Sequence, residues 1–151
     1  GPTQAGFSFY FWGDPRAVGA QNATADVLVP TFSGDGVTFA STGDQYTVIL
    51  LEDGSAFSAG FVESLDDYQG HLGLNPDTMV EGVNSFGLLQ VYDGNKEEVT
   101  KAPTFHKLFA GVENTPNSGI IHTILLDSKG RAWATGSNSR GQLCLDDNDD
   151  R

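Results

Sequence analysis

Two stretches of the chain carry the same rhythm of apolar and polar positions. Residues 47–60 read TVILLEDGSAFSAG, and residues 123–136 read TILLDSKGRAWATG. They align without a gap. Thr47 matches Thr123, Gly54 matches Gly130, Ala56 matches Ala132 and Gly60 matches Gly136; Phe57 stands where Trp133 stands. Each copy opens with an apolar run of four or five residues, too short for a helix and rich in β-branched side chains. A polar turn ending in Gly follows, then a short alternating run with one aromatic, then another Gly. The pattern predicts strand, tight turn, strand, with Gly54 and Gly130 supplying the positive φ that such turns demand.

The flanks recur as well. Downstream, QGHLGL at 69–74 is answered by RGQLCL at 140–145. Upstream, PTF occurs at 30–32 and at 103–105, followed by FASTG at 39–43 and LFAG at 108–111. A partial copy opens the chain with FYFWG at 9–13 and Gly19. From Gly19 to Gly70 to Gly141 the units are 51 and 71 residues long, the second lengthened by an insertion in 75–102 and by VENTPNSG before its strand. The expected organisation is a tag remnant at 1–2, the end of a preceding unit at 3–18, a first repeat at 19–74, an insertion hairpin at 75–102, a second repeat at 103–145 and an acidic tail at 146–151. Repeats of this size, built of short strands, mark propellers and solenoids, in which no unit buries its apolar face alone.

The second copy, GIIHTILLDSKGRAWATGSNSRGQLCL at 119–145, resembles the regulator of chromosome condensation repeat nearly end to end. His122, Gly130, Trp133, Gly136, Asn138, Gly141, Gln142 and Leu143 carry the resemblance. The first copy keeps Gly54, Gly60 and Gly70, with Tyr46 in place of the His, Phe57 in place of the Trp and His71 in place of the Gln. The resemblance implies an all-β fold of antiparallel four-stranded propeller blades. In such blades Gly60 and Gly136 would allow close backbone approach, and Phe57 and Trp133 would fill the space between blades.

Propellers hold about 4–8 blades. Two full repeats and part of another supply an incomplete ring, with bare sheet faces and edges that soluble proteins avoid. Three resolutions follow: a piece of a longer chain, a ring completed by other copies, or a head-to-tail filament.

Charge narrows the partners. The chain carries 20 acidic against 8 basic residues, a formal net charge of −12. The basic patch that nucleic acid requires is missing, whereas cationic partners are favoured. The longest apolar stretches, FSFYFWG and GIIHTILL, are far too short to span a bilayer. Cys144 is the single cysteine, so no intrachain disulfide forms, and its place in the repeat suggests a buried, inert thiol. NAT at 22–24 makes Asn22 a glycosylation sequon, relevant only to a secreted protein. DDNDD at 146–150 offers Asp146, Asp147 and Asp149 as oxygen ligands, and DGNKEE at 93–98 offers Asp93, Asn95 and Glu97; both lack the full spacing of a calcium loop, and a solvated acidic tail or loop is the simpler reading. No cofactor is called for.

No catalytic signature is present. Ser85 and Ser139, in GVNSFG and GSNSRG, lie one place too far from the first Gly for a nucleophile elbow. The three histidines, His71, His106 and His122, occupy different repeat positions. The reading is therefore a non-catalytic module for protein–protein interaction or self-assembly, with Met79, Phe86, Leu88 and Tyr92 of the insertion as the candidate contact loop. Two alternatives stay open: nucleotide exchange on a small GTPase, an activity known in the resembled family, and an extracellular structural or carbohydrate-binding role. Compartment is left open by the sequence.

Overall fold

The computed structural model describes residues 8–11, 15–19, 29–33, 36–43, 45–66, 70–91, 99, 101–112, 121–138 and 143–144. Among them are nine strands in three antiparallel sheets. The opening sheet pairs β1 (Ser8–Phe11) with β2 (Val29–Ser33). The middle sheet runs in sequence order: β3 (Val37–Gly43), β4 (Tyr46–Leu51), β5 (Ala56–Val62) and β6 (Gly82–Leu88). The last sheet joins β7 (Phe105–Val112), β8 (Ile121–Asp127) and β9 (Ala132–Gly136). Among the described residues, helix is confined to two 3-10 turns, Pro15–Val18 and Pro76–Thr78.

The repeated sequence folds twice into the same object. In β4–β5, Tyr46 pairs with Gly60, Val48 with Ser58 and Leu50 with Ala56. In β8–β9, their counterparts pair identically: His122 with Gly136, Ile124 with Ala134 and Leu126 with Ala132. The connecting turns match as well. Leu51 N–H donates to the Ser55 carbonyl at 2.9 Å, and Asp127 N–H donates to the Arg131 carbonyl at 2.9 Å. Each turn closes on a left-handed glycine, Gly54 at φ 83° and Gly130 at φ 78°, a backbone that a side chain would strain. Even the irregularity repeats, since a bulge interrupts Val37/Phe39 in the middle sheet and Phe105/Lys107 in the last.

The register also redraws the sequence boundaries. Pro30–Phe32 lies on β2 and pairs with the opening sheet, whereas Phe105 begins β7 in the last sheet. The PTF tripeptides are therefore not equivalent. Phe105 faces Asp127 as Val37 faces Leu51, so Val37 is its counterpart. Segment 75–102, expected as an insertion, contributes β6, the fourth strand of the middle sheet. The sequence conceals this strand, because GVNSFGL mixes two glycines with polar residues and buries only Asn84.

The core lies between the middle and last sheets. Tyr46, Val48, Leu50 and Ala56 from one meet Phe105, Leu108 and Leu125 from the other, with Leu72, Leu74, Met79 and Leu89 closing the side. Burial of this kind contributes on the order of 1.5–3 kcal/mol per large side chain. A backbone bond stitches the two sheets at their tips, Phe105 N–H donating to the Gly54 carbonyl at 2.8 Å, while Ser128 N–H donates to the Thr104 carbonyl at 2.8 Å and closes the β7–β8 end of the last sheet.

Candidate functional site

Tyr46 occupies the centre of the inter-sheet contact and explains several repeat residues at once. Its register neighbours on both sides are glycines, Gly43 and Gly60. A Cβ at Gly60 would lie 2.7 Å from the Tyr46 Cβ and 2.6 Å from the Gln45 carbonyl oxygen, and one at Gly43 would strike the ring itself. The same arrangement surrounds His122, flanked by Gly111 and Gly136. The repeat thus writes one bulky residue between two cross-strand glycines. Tyr46 Oη lies 3.3 Å from the His122 carbonyl, to which it can donate, and 3.2 Å from Thr123 Oγ1. Residue 46 therefore reaches across to its own counterpart, 122. Burial pushes the Tyr46 phenol up, and the Thr123 hydroxyl partly offsets this.

His71 packs edge-on against Tyr46, with ring centroids 5.7 Å apart, and its Nε2 lies 3.4 Å from the Phe61 carbonyl. Burial pulls the imidazole pKa down, against a smaller upward pull from that carbonyl. Of the three histidines, His71 packs its ring on Tyr46, His122 meets Tyr46 through its backbone carbonyl, and His106 is exposed on β7. His122 Nδ1 is buried without a partner.

Trp133 lies on the face of the last sheet turned to the middle sheet, half-buried against the core and edge-on to Phe105 at 6.5 Å. Its indole N–H donates to Asp127 Oδ2 at 3.0 Å. Asp127 organises the whole turn. Its Oδ1 accepts from Lys129 N–H and Arg131 N–H, each at 2.9 Å, and its Oδ2 accepts from Arg131 Nε at 2.7 Å. Desolvation pushes this carboxyl up. The bonds from Trp133, Arg131 and Lys129 outweigh it and hold the group well below the usual carboxylate range. Nothing in the repeat pattern points to Asp127, because its counterpart in the first copy is Leu51. Phe57 is half-buried on the opposite face of the middle sheet, the face of Ile49.

The loops after β5 and β9 show what the downstream motifs do. Leu72 and Leu143 are both buried. Asn138 Oδ1 accepts from Leu143 N–H at 3.0 Å and closes the second loop on itself. Thr135 Oγ1 donates to the Gly70 carbonyl at 2.6 Å, tying the first loop to the last sheet. Cys144 departs from the buried thiol expected of it. It stands where Gly73 stands in the first loop, takes the same left-handed backbone (φ 57° against 61°) and is exposed. Gly141, Gln142, Asn22, Tyr92, Asp146, Asp147 and Asp149 lie outside the described residues.

The expected contact loop divides. Met79 is 6% exposed and belongs to the core, so it is withdrawn as a contact residue. Phe86 and Leu88 line a groove of about 640 Å³ between β6, the Pro76–Thr78 turn, Val99 and Ala102. Leu88 is 55% exposed there. Asn84 shapes the entry to β6: its Oδ1 accepts from Val80 N–H and its Nδ2 donates to the Val80 carbonyl, both at 2.9 Å. Asn75 caps the turn by accepting from Asp77 N–H at 2.9 Å. Among the described residues, no helix is long and apolar enough to cross a membrane, and no three His, Cys, Asp or Glu residues group as a metal site.

Comparison with solved structures decides the fold. The complex of Kap60 with yeast RCC1 (Prp20) matches with a TM-score of 0.58 at 15% identity, over 93% of this chain and 30% of the matched one. The fold is that of an RCC1-like β-propeller. A second match, Prp20p from Saccharomyces cerevisiae, described together with its binding properties to Gsp1p and histones, has a TM-score of 0.53 at 18% identity, over 89% of this chain and 31% of that one. The chain thus spans about three tenths of the length of these RCC1 structures and forms an incomplete ring. No protein-family model matches the sequence, and no curated protein matches it.

Proposed function

We propose that the chain works as part of an RCC1-like propeller that binds other proteins without catalysing a reaction, and that the groove beside β6 is a contact surface for a basic protein segment. The observation that carries this is the exposed Leu88 on an edge strand, set in a groove with Phe86. Exposed apolar groups gathered in a concavity with polar surroundings mark interaction sites. The turn that forms one wall carries the exposed Asp77, and the whole chain has a net charge of −12. Such a field draws cationic partners and makes their binding depend on salt. The similar propellers support the class of activity: one is described in complex with Kap60, the other with binding properties to Gsp1p and histones.

The test is direct titration of the chain with purified histones, and with Gsp1p as an acidity-independent comparison, read by fluorescence anisotropy. The reading expects saturable histone binding that weakens with salt. It expects Leu88→Asp to reduce affinity at least tenfold with the melting temperature unchanged. Binding indifferent to Leu88 would remove the groove from the account, and no binding to either protein would remove the reading.

A further inference from the structure

Charge is not spread evenly along the chain. Residues 101–145 hold five of the eight basic residues and two of the twenty acidic ones, a net charge of +3. Residues 1–100 hold two basic and fourteen acidic residues, a net charge of −12. The overall acidity therefore hides a basic stretch that contains the whole last sheet.

The fold gathers four of those five basic residues at one end of that sheet. Lys129 and Arg131 flank Gly130 in the β8–β9 turn, and the Ser128–Thr104 bond ties this turn to the start of β7. Lys101 lies three residues before Thr104. Lys107 pairs with Leu126, which pairs in turn with Ala132, the neighbour of Arg131. All four are exposed. The matched turn of the middle sheet has the opposite sign. There Glu52 and Asp53, both exposed, stand where Ser128 and Lys129 stand, and Ser55 stands where Arg131 stands.

Arg131 is fixed in place. Its Nε donates to Asp127 Oδ2 at 2.7 Å, and its guanidinium carbon lies 5.4 Å from the centre of the Trp133 ring. Asp127 is in turn occupied by the Trp133 indole and by two backbone N–H groups. A guanidinium held at Nε keeps its two Nη groups as a paired donor, and that fork matches a carboxylate.

We propose that this end of the last sheet docks an acidic protein segment, with Arg131 gripping one carboxylate and Lys101, Lys107 and Lys129 attracting its neighbours. A nucleic acid fits less well. Duplex DNA carries one charge per about 1.7 Å of its length and would run from the basic end onto Glu52 and Asp53. These two adjoin it, since the Gly54 carbonyl accepts from Phe105 N–H. A short acidic segment meets the basic end alone. The acidic remainder of the chain opposes its approach only within a screening length of about 8 Å at physiological salt. The surface is separate from the groove at β6 and does not depend on it.

Fluorescence anisotropy of the full chain with labelled octaglutamate provides the test, with octaglutamine and a single-stranded DNA of the same charge as comparisons. Octaglutamate should bind saturably, more weakly as salt is added, and octaglutamine should not bind. Lys129→Asp should weaken octaglutamate about tenfold at an unchanged melting temperature, because the backbone N–H that Asp127 accepts is kept. Lys101→Glu, outside the turn, should weaken it about threefold. Arg131→Lys, which keeps the charge and loses the fork, should weaken it about threefold as well. Absence of octaglutamate binding, or binding indifferent to both Lys129→Asp and Lys101→Glu, would overturn the proposal. Tighter binding of the DNA would overturn it by making nucleic acid the occupant. Self-association of the chain that Lys129→Asp abolishes would overturn it by making a second copy the occupant.

Discussion

Leu50 and Leu126 hold the same register position in two sheets of the same design, and Leu50 is sealed while Leu126 stays half open. The difference does not come from the repeat, which sets the same strands, turn, bulge and pairing in both copies. It comes from the neighbour. The middle sheet is covered by the last, whereas the far face of the last sheet meets no described residue that closes it. Equal sequence patterns thus carry unequal energies, as expected for repeat architectures whose stability is a sum of unit and interface terms.

Matched substitutions in the two sheets sharpen this comparison. The largest effect belongs to Tyr46→Ala, which empties a fully buried site between two glycines and removes the hydroxyl that reaches His122 and Thr123. It should cost about 4 kcal/mol, whereas His122→Ala at the equivalent position should cost about 1 kcal/mol. Denaturant titration of both variants checks the ratio, and similar losses would break the comparison. Leu50→Ala and Leu126→Ala form the next pair, with expected losses of about 3 and about 1 kcal/mol. Equal losses would mean that the far face is covered after all.

Acid tests the two sheets through different groups. The folded-state pKa of His71 is depressed by burial, so its neutral form stabilises the fold above the unfolded value. That contribution is lost as pH falls below about 6.5. Asp127 is also depressed, and its contribution holds until pH falls below the ordinary carboxylate value of about 3.9. Thermal melts from pH 8 to pH 3 should therefore decline in two stages. His71→Gln should flatten the first and Asp127→Asn the second; a His71→Gln profile parallel to that of the unchanged chain would contradict the assignment.

Much of this arrangement is legible in the sequence, for a physical reason. Gly43, Gly60, Gly54 and Gly130 are required by close approach or by positive φ, and such demands cannot be met by substitutes, so they stand out as a pattern. The apolar runs of β4 and β8 are equally plain because both of their faces are apolar. β6 is illegible as a blade strand, since an edge strand with one buried residue, Asn84, needs no alternation. Met79 reads as a surface anchor because a lone Met in a polar segment gives no clue that the segment folds back over the core. Asp127 is invisible because its role depends on Arg131 and Trp133, which the first copy replaces with Ser55 and Phe57. Of the proposed contact surface, Phe86 and Leu88 are legible as apolar residues in a polar stretch. The groove they line depends also on Val99 and Ala102, which lie further along the chain.

The central claim is that equivalent strands of successive repeats pack face to face, with residue 46 on residues 122 and 123. A double-mutant cycle of Tyr46→Phe and Thr123→Val addresses it most directly, because each change removes one hydroxyl of a pair 3.2 Å apart and little else. The account predicts a coupling of about 1 kcal/mol between the two. Strictly additive losses would contradict it.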